Sequence, residues 1–111
     1  MILYHMSPAK NLESIMNQGI KRGSMKCIFA CKNPGDCLKL AVAHFIDNAV
    51  VFAFSTKKEC VTESFDHNLR LFQCRCYAVT EDVPPDKIID YTLYDVGSIV
   101  RSIEEEINSG K

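Results

Sequence analysis

The chain has 111 residues, of which 47% are apolar and 24% charged, and its formal net charge is -1. That length suits one hydrophobic core, so a single domain over residues 1–111 is expected. A charge this close to zero sets up no global positive field, which argues against a nucleic-acid-binding module but leaves a nucleotide ligand open. No run of apolar residues nears the roughly 18 needed to cross a membrane, and the first residues show no basic-then-apolar signal pattern. A cytoplasmic protein is therefore expected, with its six cysteines (27, 31, 37, 60, 74 and 76) reduced.

In chain order, Ile2-Leu3-Tyr4 reads as a short strand. Ser7-Pro8 then reads as a helix start, serine capping and proline in the first turn. Leu12, Ile15 and Met16 follow at helical spacing, and Gly19 is the stop. Residues 27–30 read as a second strand. Asn33-Pro34 repeats the cap-and-proline signal and predicts a helix over 34–46, with Cys37, Leu38, Leu40, Ala41, Phe45 and His44 on or beside its apolar face. Residues 49–54, AVVFAF, are continuously apolar and predict a central strand covered on both faces. The stretch 55–70 is polar and without period. Residues 71–79 alternate, with Phe72, Cys74, Cys76 and Ala78 on one side and Gln73, Arg75 and Tyr77 on the other. Val83-Pro84-Pro85 ends that strand. A further strand over 87–94 leads into an amphipathic helix marked by Val96, Ile99, Val100, Ile103 and Ile107, with Glu104 to Glu106 outward. Strands and helices are mixed without strict βαβ units, which predicts an α+β fold.

The cysteines do not read as a metal site. Cys27-x3-Cys31-x5-Cys37 and Cys74-x-Cys76 lack the C-x2-C pairs of common zinc domains, and Cys74 and Cys76 fall on an apolar strand face, where free cysteine acts as a small hydrophobe. A zinc-stabilised structural domain is a third reading, and a catalytic thiol at Cys31 or Cys60 is remoter still, because no sequence feature pairs either with a base.

Three segments in order carry a resemblance. Leu3-Tyr4-His5-Met6-Ser7 with Asn11-Leu12, Ile15 and Gly19-Ile20 is one. Ile28-Phe29-Ala30 before the 34–46 helix is the second, and residues 74–88, closing on Val83-Pro84-Pro85-Asp86-Lys87-Ile88, are the third. Together they resemble the ADP-ribosyltransferase-like superfamily, most of all the branch of RNA 2′-phosphotransferases and DNA-targeting ADP-ribosyltransferase toxins. The resemblance implies a small ADP-ribosyltransferase-like fold, NAD as cofactor and ADP-ribose transfer to a macromolecular acceptor, protein or nucleic acid. It places the ribose contacts on His5 and Ser7 and the nicotinamide-facing aromatic on Phe29.

The sequence departs from the family where a glutamate belongs: near Gln73 or Arg75 the closing strand has no acid. The neighbouring carboxylates are Glu59, Glu63 and Asp66 before it and Glu81 and Asp82 after it. Asp66 is the candidate acid and His67 a candidate ligand contact, because Glu63-Ser64-Phe65-Asp66-His67-Asn68 packs polar groups densely into a loop. Arg75, with a planar fork suited to pyrophosphate or carboxylate, is the candidate catalytic cation. The missing glutamate also motivates the alternative of a catalytically inactive nucleotide-binding or protein-interaction module. The 2′-phosphotransferase activity fits less well, since the chain offers few basic groups besides Arg22, Arg70 and Arg75.

Overall fold

A computed structural model describes residues 1–23, 26–64 and 76–109. The protein is an α+β domain built on one six-stranded, wholly antiparallel sheet. Its strands are β1 (Ile2–Pro8), β2 (Ile28–Cys31), β3 (Asn48–Ser55), β4 (Val61–Ser64), β5 (Cys76–Val79) and β6 (Ile88–Asp95), and its helices α1 (Leu12–Gln18), α2 (Pro34–Ala43) and α3 (Val96–Ser109). Across the sheet the order is β4-β5-β2-β1-β3-β6, which puts β1 in the middle.

The period-2 alternation of strand side chains sorts the core into two faces. On one, Leu3, Ile28, Ala30, Val50, Phe52, Phe54, Tyr77 and Val79 form a buried cluster, against which Leu12 and Ile15 of α1 pack. On the other, Cys31, Val51 and Cys76 meet Cys37 and Leu40 of α2, with Tyr4 and Met6 beside them. A third cluster, Ala41, Ala49 and Val96, joins α2 and β3 to the first turn of α3.

Local signals account for most element ends. Gly19 closes α1 with φ 83°, and its backbone N–H donates to the Ile15 carbonyl. A Cβ there would run into the Val83 carbonyl, because Ile20 and Val83 bridge at that point. Asn33 caps α2 by accepting from the Asp36 N–H at 2.8 Å, and Asp95 caps α3 by accepting from Ser98 N–H and Oγ–H.

Five expectations need correction. β1 does not stop at Tyr4; it runs through Pro8, pairing Ser7 with Val50 and Pro8 with Ala49. Ser7 is thus a strand residue and not a helix cap, and a short 3-10 turn, Ala9–Asn11, precedes α1. α2 ends at Ala43, three residues short of 46. Phe45 takes the left-handed conformation (φ 57°), its N–H donating to Val42 and that of Ile46 to Ala41, which is the paired bonding of a Schellman ending. The Phe45 ring is consequently 93% exposed and not on the apolar face, and His44, the residue that caps α2, is exposed as well. The stretch 55–70 is not all loop, because Val61–Ser64 forms the edge strand β4 on β5. No helix among the described residues is long and apolar enough to cross a membrane.

Candidate functional site

His5 lies mid-strand on β1, opposite Phe52. Only one residue pair, Tyr4 with Cys31, joins β1 and β2 in regular register. Next to it the His5 ring supplies a further link, Nδ1 standing 2.8 Å from the Phe29 carbonyl oxygen. A carbonyl can only accept, so Nδ1 carries the hydrogen and Nε2 is left as an acceptor. Burial pushes the imidazole pKa below its ordinary value and outweighs the upward pull of the bond to Phe29. The ring is held neutral and in one tautomer.

Ser7 stands two residues on, on the same face of the sheet, and is 6% exposed. Its Oγ accepts from Asn11 Nδ2 at 3.0 Å, which leaves its own hydroxyl hydrogen to donate. A neutral imidazole acceptor and a hydroxyl donor therefore sit about 7 Å apart along one strand. The pair thus offers one acceptor and one donor on the same face.

Phe29 does not join them. It alternates with Ile28 and Ala30, which belong to the His5 face, and so its ring stands on the face of Cys31. The backbone carbonyl of Phe29, not its ring, is what meets His5. Asp66, His67, Gln73 and Arg75 lie outside the described residues.

Of the other carboxylates weighed, Asp82 is committed elsewhere. Its Oδ1 takes the Arg22 backbone N–H at 2.8 Å and Nε at 3.0 Å, and these bonds hold its carboxyl below the usual carboxylate range. Glu63 is different. It pairs with Tyr77 across β4 and β5, and Tyr77 pairs with Ala30 across β5 and β2. With Tyr4 opposite Cys31, the next position sets His5 beside Ala30. Glu63, Tyr77, Ala30 and His5 thus form one cross-strand row, and Val61, two residues before Glu63, packs into the cluster of the His5 face. Three strand spacings separate the ends of the row, about 14 Å between backbones. This acid was hard to pick out because β4 is four residues long with one apolar side chain.

Four of the five described cysteines, Cys31, Cys37, Cys60 and Cys76, are buried in the core. All five described are free thiols, and Cys31, Cys37 and Cys76 gather under α2. Contact with the Cys37 thiol and burial both drive the Cys31 pKa upward, the opposite of what a nucleophile needs. Burial also raises that of Cys60. Among the described residues no three His, Cys, Asp or Glu side chains converge as a metal site would require.

Two openings lie away from His5. One, of about 280 Å³, runs over the cysteine face between Tyr4, Pro34, Val51, Asp90, Thr92 and Tyr94. The other, of about 340 Å³, separates the end of α2 from α3.

The architecture is thus that of a small α+β domain with a polar pair set into one face of its sheet. Its fold is similar to that of CC0527 from Caulobacter crescentus, an X-ray crystal structure determined as a structural-genomics target. The two share 9% identity at a TM-score of 0.59, over 83% of this chain and 84% of that one. No family profile matches the chain, and no curated protein sequence does.

Proposed function

We propose that this chain is an ADP-ribosyltransferase-like protein that binds NAD over the His5 face and transfers ADP-ribose to a macromolecular acceptor. The observation that carries this reading is the His5 ring: a neutral imidazole, its tautomer set by the Phe29 carbonyl, beside the Ser7 hydroxyl. The motif resemblance around Leu3-Tyr4-His5-Met6-Ser7 supports it. NAD would supply an ADP-ribosyl group whose bond to nicotinamide breaks with positive charge developing on the ribose. Glu63 shares that face and row, about 14 Å from His5 between backbones, and is the described carboxylate assigned to oppose that charge from the far end of the ligand. Asp66 remains the second candidate. Phe29 has no part in this version of the site, and Tyr77, which lies between His5 and Glu63, takes its place as the aromatic neighbour.

The test separates binding from chemistry. An asparagine at position 5 keeps a donor where Nδ1 stands and removes Nε2. His5→Asn should therefore keep the β1–β2 link and lose the ligand contact. At 100 times its dissociation constant NAD stabilises the wild type by about 2.7 kcal/mol, or roughly 10 °C or more in unfolding midpoint. The same NAD should leave His5→Asn unshifted. No shift in the wild type sinks the NAD reading.

The non-catalytic alternative draws on the sequence from residue 71 to 79, which has no acid. Release of nicotinamide from NAD by the wild type, lost in Glu63→Gln or in Asp66→Ala, rejects that alternative and names the acid. A thermal shift without nicotinamide release favours the binding module.

A further inference from the structure

The two edges of the sheet are unequal. β4 offers four residues on one side, whereas β6 ends the sheet on the other with eight. A long free edge is a template for pairing with another chain. β6 has the composition for it, since Ile88-Ile89-Asp90-Tyr91-Thr92-Leu93-Tyr94 is β-branched and aromatic with a single charge. Ile89, Tyr91 and Leu93 are 57%, 42% and 55% exposed.

Register shows which backbone groups that edge presents. Met1 and Thr56 exchange both of their bonds, Met1 N donating to the Thr56 carbonyl at 3.2 Å and Thr56 N to the Met1 carbonyl at 2.9 Å. Bonded and unbonded pairs alternate along an antiparallel ladder, so Phe52 and Val50 bond toward β1, and Ala53, Val51 and Ala49 toward β6. Tyr91 and Leu93, opposite Phe52 and Val50, therefore turn their N–H and carbonyl groups away from β3, out of the edge. The Tyr91 N–H does not stand open, because Asp90 Oδ1 accepts from it at 2.7 Å. Just before it, Ala53 faces Asp90 while Phe54 faces Ile88, which makes Ile89 a bulge residue.

We propose that Asp90 guards this edge against a second copy of the chain, by occupying the outward Tyr91 N–H with its own carboxylate. A strand arriving at β6 must bring a carbonyl to that N–H. It would have to displace the carboxylate and bury it beside another acceptor, with no donor in exchange. The bulge acts in the same sense, because it breaks the ladder on the other side of Asp90 and shortens the regular stretch left for pairing. The edge lies two strands from His5, and its guarding does not depend on NAD.

Sedimentation velocity and thioflavin T fluorescence on the full chain test this, with circular dichroism to show that each variant is folded. Asp90→Ala, at an exposed position, should self-associate at a concentration about tenfold or more below that of the wild type. Asp90→Asn keeps an oxygen for the Tyr91 N–H and should stay with the wild type. So should Asp86→Ala, which removes an equal charge from the turn Pro85–Lys87, outside β6. Adding Leu93→Pro to Asp90→Ala takes away the next outward N–H, a change that edge strands tolerate, and should reverse the association. An Asp90→Ala chain no more associated than the wild type overturns the proposal. Equal association of Asp86→Ala makes net charge the cause, and equal association of Asp90→Asn shows that the bond to Tyr91 is not the guard. Association that survives Leu93→Pro lies elsewhere than the β6 edge, and each of these results overturns the proposal too.

Discussion

On one face of β1 stand Leu3, His5 and Ser7, and on the other Tyr4 and Met6. α1 packs on part of the first, where His5 stays half-buried, and α2 packs on the second, yet the two faces solve burial differently. The His5 face admits two polar side chains, and each has a directional partner: the Phe29 carbonyl for His5, Asn11 for Ser7. The opposite face is filled with sulfur. Cys31, Cys37 and Cys76 gather there with weak thiol contacts among themselves, and Cys37 Sγ makes a long bond to the Tyr4 carbonyl at 3.4 Å. A buried polar group is costly when unpaired and adds little when paired, so packing gives no reason for an imidazole at position 5. The thiol face shows what this sheet looks like where packing alone decides.

The largest effect that would probe this contrast is a cavity. Phe52 is fully buried and directly opposite His5. Phe52→Ala should cost about 3–5 kcal/mol in urea unfolding, whereas Cys31→Ala, on the other face, should cost about 1–2 kcal/mol. Because a phenyl ring is several times larger than a thiol, equal losses would mean that the His5 face is far more loosely packed than the thiol face.

A second pair isolates the hydrogen bond. His5→Leu fills the space and strands the Phe29 carbonyl, which should cost about 1–3 kcal/mol. His5→Asn keeps a donor in the Nδ1 position and should stay closer to the wild type by most of that amount. If the two variants unfold together, the imidazole is not a strand link.

These contrasts show which parts of the molecule were legible. The two caps at Asn33 and Gly19, the apolar run of β3 and the amphipathic α3 are local signals, each with its physical cause inside a few residues. The α+β class followed from them. β4 was not legible, because Val61-Thr62-Glu63-Ser64 has no pattern of its own; its pairing with β5 supplies the ladder. The end of α2 was misread because Phe45 stands where a Schellman ending normally has glycine. Ser7-Pro8 carried a real helix-start signal that strand pairing with β3 overrode, proline being tolerable at a strand end where its missing N–H is not needed. His5 and Ser7 were singled out by a motif resemblance, and what the sheet adds is their partners, the Phe29 carbonyl and Asn11. The row linking them to Glu63 was not legible, since it depends on three registers that only the assembled sheet provides.

A smaller effect concerns the cover of the thiol face. Asn33→Ala removes the side-chain oxygen that accepts the Asp36 N–H and should cost about 1 kcal/mol. Asn33→Ser should recover most of it, and a loss equal to that of Asn33→Ala would mean that the cap bond contributes nothing.

The most diagnostic effect is in the pH dependence. Burial lowers the folded pKa of His5, while in the unfolded chain it returns to about 6.5. Below that value the unfolded state binds the proton first, so the unfolded chain holds more protons than the folded one and stability falls as pH falls. The contribution is complete above about pH 6.5 and is lost progressively beneath it, with a slope of at most about 1.4 kcal/mol per unit. Asp82 and Asp95 are depressed carboxylates, and their contributions fade only near and below the ordinary carboxylate range, clear of this window. Unfolding curves of the wild type and His5→Asn between pH 7 and 5 should therefore converge as pH falls, the variant keeping the flatter profile. Curves that stay parallel would mean that His5 titrates alike in both states, and the neutral, tautomer-fixed imidazole proposed to face a ribose would lose its physical basis. If they converge, the ring is still neutral in the folded protein just below pH 6.5, and NAD stabilisation should persist there.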